Sequence, residues 1–195
     1  GNEQTANQLA YYSAAYWGPQ TPLPYYGGAI IVFLFAVGIA FAEKKYVWWL
    51  IPVCILALMM SWGSNFASFN YFIFEYLPGY NQFRSVTFTV VMIIFSMPLL
   101  GLLGLEKIMT EGLTQASKKK LLIALGATGG LCLIFLLLAG MLSFVKEGDE
   151  QLPAWFLKAL TEDRKSLLRG DALRSLSFIL AAFVIVYLEL WKKVP

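Results

Sequence analysis

The chain has 195 residues, of which 58% are hydrophobic and only 14% charged, with a net charge of +3 and a mean hydropathy of +0.64. A soluble fold of this size has too little polar shell to cover so much apolar surface, and basic residues gathered at the ends of apolar runs argue against a nucleic-acid partner. Histidine, the commonest metal ligand and neutral-pH proton shuttle, is absent from the sequence, and Cys54 and Cys132 fall inside apolar runs, where they read as small core residues.

Residues 1–25 are polar, rich in Asn and Gln, and lack the basic n-region of a signal peptide. They read as the end of an extramembrane loop, and the whole chain as a segment of a longer polytopic protein. Tyr11, Tyr12, Tyr16 and Trp17 lie here, and the prolines and glycines around them exclude regular helix. The rings suit an aromatic belt at headgroup depth or, as the sharper alternative, a platform on which sugars stack.

Five apolar runs follow, at 26–42, 46–62, 86–105, 121–145 and 175–191. Each is near the ~20 helical residues needed to cross a ~30 Å hydrocarbon core. The expected fold is therefore all-α, a polytopic transmembrane helix bundle of about five spans, with membrane lipids as its solvent. Glu189 is the only acidic or basic residue inside any run and stands beside Lys192 and Lys193, which counts against an ion path through these helices. Gly101 and Gly104 in the third run, and Gly126, Gly129 and Gly130 in the fourth, read as close-packing positions. Pro52 and Pro98 mark positions where a span can bend.

Lysines set the orientation. Lys44 and Lys45 follow the first run, Lys107, Lys118, Lys119 and Lys120 the third, and Lys192 and Lys193 the last, so these links should face the cytoplasm. That leaves the N-terminus outside and the C-terminus inside.

Two further outward stretches carry polar chemistry. In residues 64–84, Phe66, Phe69, Tyr71, Phe72, Phe74 and Tyr76 are dense enough for a short helix lying in the interface, and Pro78-Gly79 makes a turn. Arg84, the only basic residue there, can grip a phosphate or snorkel as a lipid anchor, and Glu75 is its natural partner. In residues 146–174, Lys146-Glu147-Gly148-Asp149-Glu150 reads as a solvated turn, and Pro153 opens an amphipathic helical hairpin. Thr161 would cap its second helix, Gly170 would end it, and Asp171 would cap the last span. Arg164, Lys165, Arg169 and Arg174 read as a solvated face near headgroups, with phosphate binding by Arg169 or Arg174 as the alternative. No phosphate loop, metal-ligand cluster, cofactor motif or nucleophile–base pair is recognisable, so no catalytic residue is assigned.

Several short motifs recur in a familiar order. Tyr16-Trp17-Gly18 precedes Tyr26-Gly27-Gly28-Ala29-Ile30; Ser61-Trp62-Gly63-Ser64-Asn65 closes the second run; Leu77-Pro78-Gly79-Tyr80-Asn81-Gln82-Phe83-Arg84 opens the third. Asp163-Arg164-Lys165-Ser166-Leu167-Leu168 and Asp171-Ala172-Leu173-Arg174-Ser175 follow. Through nearly the whole chain this order resembles the YfhO family of bacterial multispanning membrane proteins. Those proteins are much longer and look like C-type, polyprenyl-phosphate-sugar-dependent glycosyltransferases of the cell envelope. The resemblance implies an interior portion of such a protein in the bacterial inner membrane, with the catalytic acidic residue outside it. It also implies that Arg84, with Arg174 and Arg169, contacts the phosphate of a polyprenyl-phosphate-linked sugar, and that Trp17 and Tyr80 stack on sugar rings. Reading the residues alone, a lipid-linked-sugar flippase and a noncatalytic envelope scaffold remain open alternatives.

Overall fold

The computed structural model describes residues 2–16, 27–82, 86–112 and 114–192, and among them the chain is helical with no strand. Seven α-helices follow in order: α1 Asn2–Tyr16, α2 Ala29–Phe41, α3 Lys44–Ser61, α4 Ala67–Tyr76, α5 Val90–Glu111, α6 Gln115–Leu138 and α7 Ala154–Trp191. Four of these, α3, α5, α6 and α7, are long and apolar enough to cross a membrane. The fifth apolar helix, α2, is shorter: its 13 residues rise about 20 Å.

The surface of these helices identifies their solvent. Leu137, Ile123, Ile185 and Phe95 are each at least 60% exposed, on the same helices that bury Leu121, Ile179 and Leu100. A water-facing surface does not carry apolar side chains that large and that continuous, whereas a lipid-facing one does. The protein is a membrane helix bundle.

Helix α2 is the hub. Phe33, Val37 and Phe41 meet Ile108 of α5, Leu121 and Ala124 of α6, and Ile179, Ala182, Val186 and Leu190 of α7 in one buried core. The α2–α5 crossing is backbone against backbone: a Cβ on Gly104 would sit 2.4 Å from the Gly38 Cα, and one on Gly38 would sit 2.4 Å from the Leu100 carbonyl oxygen. The packing role read for Gly101 and Gly104 holds. For Gly126 and Gly130 it does not, because a Cβ on either would meet nothing within 4 Å.

The two ends of the bundle differ. At one end the α2–α3 link is only Ala42 and Glu43, Lys45 pairs with Glu43 at 2.9 Å, and Lys192 donates to Glu189 at 2.6 Å. There Thr114 caps α6 by accepting from the Ser117 amide at 3.1 Å. This is the lysine end. The other, the loop end, carries α1, α4 and the segment between α6 and α7.

Three expectations are corrected at the loop end. Residues 2–16 form a helix, because the breakers begin only at Gly18 and the preceding Ala, Leu and Gln residues favour helix. The fourth span stops at Leu138 rather than running to 145; Ala139 and Phe144 are apolar because they are buried in the turn and the extended segment that follow. The hairpin over 153–170 is instead the first half of a single 38-residue helix. Gly170 lies within it and costs about 1 kcal/mol there, less than breaking the continuous stripe Phe156, Leu160, Arg164 that α7 buries. Asp171 therefore pairs with Arg174 along the helix at 3.4 Å instead of capping, and Thr161 donates back to the Lys158 carbonyl at 3.0 Å. Pro153 stands immediately before α7 as expected.

Candidate functional site: a tyrosine-lined cleft over a buried ion pair

The stripe on α7 sets the site. Phe156, Leu160 and Arg164 are spaced four apart and so share one helix face, and all three are buried. Arg164 is only 2% exposed. A guanidinium at that depth is tolerable only if most of its donors are matched, and four bonds match all but the Nε–H. Nη1 donates to Asp149 Oδ2 and to the Phe144 carbonyl, each at 2.6 Å. Nη2 donates to the Tyr12 carbonyl at 3.3 Å and to Asp149 Oδ1 at 3.5 Å. The guanidinium also lies 4.5 Å from the centre of the Tyr16 ring, a cation–π contact worth about 2 kcal/mol when desolvated.

The loop supplies the anion through local turn chemistry. Gly148 takes φ 95°, a left-handed conformation that suits glycine, and the next residues, Asp149–Gln151, form one 3₁₀ turn. Asp149 Oδ2 then accepts the Lys146 amide at 2.7 Å, which folds the loop around its own carboxylate. Hydrogen bonding from Arg164 holds the Asp149 carboxyl below the usual carboxylate range; burial opposes this, and the Lys146 amide adds to it.

Helix α1 closes the third side. Tyr12 meets Phe156 edge-on at 6.1 Å, Tyr16 packs on Phe144 at 6.1 Å, and the Tyr16 hydroxyl donates to the Ser143 carbonyl at 3.4 Å. One ion pair thus fastens α1, the loop and α7 together. Between them lies a cleft of about 390 Å³, walled by Tyr11, Tyr12 and Tyr16, with Lys146 and Glu147 at its edge and Arg164 and Asp149 at its base. Tyr11 and Tyr12 keep 64% and 42% of their surface open, so their faces are available to a ligand.

Chemically, Arg164 is a clamp: its charge is spent on Asp149 and on carbonyls. Contacts to a ligand fall to the tyrosine rings, Lys146 and Glu147. Among the described residues there is no group of three or more His, Cys, Asp or Glu side chains placed to hold a metal ion.

The residues singled out from sequence are distributed elsewhere. Arg84 and Trp17 lie outside the described residues. Arg174 is exposed and paired with Asp171, and Arg169 is exposed against Gly140, just past the C-terminus of α6. Tyr80 is 5% exposed, with its ring buried beside α4 rather than presented for stacking. The structure does not bring Arg169, Arg174 and Tyr80 into this cleft. Conversely, Asp149 and Arg164, read as solvated charges, are its buried base. The signal that could have found Arg164 is its register on the Phe156–Leu160 stripe.

No protein-family model matches this chain. Neither does any curated protein or any solved structure.

Proposed function

We propose that the protein works in bacterial cell-envelope glycan assembly, handling a polyprenyl-phosphate-linked sugar at the outer face of the inner membrane. The observation that carries this reading is the tyrosine-walled cleft built on the loop end of a lipid-embedded bundle. Aromatic faces suit sugar rings, and a charged edge suits a phosphate-bearing lipid. The lysine-rich opposite end supports a cytoplasmic position for that end, which turns the cleft outward. The ordered motifs that resemble those of the YfhO family point to the substrate class, and Arg84, just before the third apolar run, is the residue assigned to the phosphate on that resemblance.

On this reading the chain binds and positions the lipid-linked donor and leaves acid–base chemistry to a carboxylate elsewhere. A noncatalytic scaffold is the second reading, favoured by one observation: the deepest charges of the cleft, Arg164 and Asp149, satisfy each other.

Membranes carrying the full-length protein, wild type, Tyr12→Ala or Arg84→Ala at matched abundance, test the proposal by transfer of labelled sugar from polyprenyl-phosphate donors to envelope material. A drop of tenfold or more in both variants is expected. Unchanged transfer in both removes the donor site, and no transfer from any form moves the reading to flippase or scaffold.

A further inference from the structure

A second cavity, of about 250 Å³, opens at the loop end beside α4. It is lined by Asn70, Tyr71, Phe74 and Tyr80 together with the small residues Gly63, Ser64 and Ala67. Two of these carry buried oxygens that no group among the described residues bonds: Asn70 Oδ1 and the Tyr80 hydroxyl. Asn70 and Tyr80 are 92% and 95% buried, so neither oxygen is an ordinary surface group.

The orientation of the Asn70 amide is settled by its other side. Nδ2 donates to the Met59 carbonyl at 3.1 Å and the Phe66 carbonyl at 3.2 Å. A flipped amide would set its oxygen against two carbonyl oxygens, so Oδ1 is the atom left over. It can only accept. The Tyr80 hydroxyl can donate or accept, and burial pushes its ionisation above the usual phenol range, so it stays protonated. Buried polar groups are nearly always satisfied, and an orphaned pair lining one cavity calls for a ligand that bonds both.

The lining narrows that ligand. Among the described residues it contains no Lys, Arg, Asp or Glu, so a charged molecule would find no counter-charge among them. An apolar molecule would leave both oxygens unpaired. Tyr71 and Phe74 keep 73% and 51% of their surface open and offer ring faces at the mouth. The volume accommodates one small ring and falls below the range of drug-sized pockets.

We propose that this cavity binds a neutral, hydroxyl-bearing ring of about monosaccharide size, either a free sugar or the sugar headgroup of an uncharged glycolipid. A ligand O–H donates to Asn70 Oδ1, the Tyr80 hydroxyl bonds a second ligand oxygen, and the C–H face of the ring lies on Tyr71 and Phe74. Because both protein oxygens are shielded from water, binding includes a small opening of the α4 wall. The site is separate from the tyrosine cleft, and the inference does not rest on the lipid-linked-donor reading.

The test reads binding directly, so a failure of sugar transfer in the earlier assay leaves it intact. Full-length protein in phosphatidylcholine nanodiscs, free of glycosidic detergent, is probed by saturation-transfer NMR with glucose and N-acetylglucosamine. A parallel arm measures retention of monoglucosyl diacylglycerol. Two variants are compared: Tyr80→Phe, which removes only the hydroxyl, and Ala67→Leu, which fills the cavity. The proposal expects binding in the wild type, weakened at least tenfold in both variants. Binding of the free sugars assigns a soluble ligand; retention of the glycolipid alone assigns a headgroup. No binding in either arm, or wild-type binding in either variant, overturns it.

Discussion

The two cavities at the loop end differ in what they bury: a paired charge under one, neutral oxygens in the lining of the other. Around the tyrosine cleft the buried charges answer each other: Arg164 makes four hydrogen bonds to Asp149, Phe144 and Tyr12, and among the described residues only its Nε–H and the buried Ser13 hydroxyl of α1 are left over. Beside α4 only the donor side of Asn70 is matched, and two oxygens of one lining are left without a partner among the described residues. Self-satisfied polar groups rigidify, because removing either partner strands the other in low dielectric. Unsatisfied ones recognise, because a ligand that completes them recovers what folding left unmade. The first cavity is thus held in shape by its charges, and the second is selective through its missing bonds.

The sharpest way to break this contrast is Arg164→Met. It leaves Asp149 buried and unpaired and should cost about 3–5 kcal/mol in the fastening of α1 and the loop, read as accelerated proteolysis within 139–153. Adding Asp149→Leu should return part of that loss, and a double-mutant cycle would show the coupling. If the single variant is as protease-resistant as the wild type, the clamp is not what holds the cleft.

Acid should reach the same state without mutation. The Asp149 carboxyl titrates lower folded than unfolded, so its stabilisation is complete above the ordinary carboxylate value of about 3.9 and is lost as pH falls through the lowered folded value. Arg164 stays charged throughout. Loop opening followed by Tyr fluorescence should therefore appear only below about pH 4, and opening between pH 5 and 7 would contradict the pairing.

Smaller effects belong to the second cavity. Asn70→Leu gives up the bonds to Met59 and Phe66 but also removes the unpaired oxygen, for a net loss of about 1–2 kcal/mol in thermal unfolding. Tyr80→Phe should be neutral or stabilising by up to about 1 kcal/mol, since the hydroxyl it removes bonds no group among the described residues. A clear destabilisation by Tyr80→Phe would show that the hydroxyl is used within the fold. Smallest of all, Arg174→Ala breaks an ion pair whose side chains are 70% and 71% exposed and should shift stability by no more than about 0.5 kcal/mol.

Legibility in the sequence followed how local each signal was. Apolar length marked the four long helices and the shorter α2, and the helix over Ala67–Tyr76 and the Pro78-Gly79 turn were readable from aromatic density and turn chemistry. Gly101 and Gly104 announced a close crossing, but nothing local named Leu34 and Gly38 as the residues they meet. Helix α7 defeated a local reading: Thr161, Gly170 and Asp171 are each good boundary residues, and the packing of a stripe that begins 14 residues before Gly170 overrides them. The Arg164–Asp149 pair was the hardest to see. Both residues sit in runs of mixed charge, and their burial depends on α1 folding over them from the far end of the chain.

Hydrogen exchange of the Lys146 amide, in nanodiscs at neutral pH, tests the clamp most directly, because that N–H donates to the carboxylate that Arg164 holds. Slow exchange in the wild type, accelerated at least a hundredfold by Arg164→Met, is the expected result, the equivalent of about 3 kcal/mol at 1.4 kcal/mol per tenfold. Equal exchange in the two proteins would mean that the loop folds by itself and that the tyrosine cleft is not built on the ion pair.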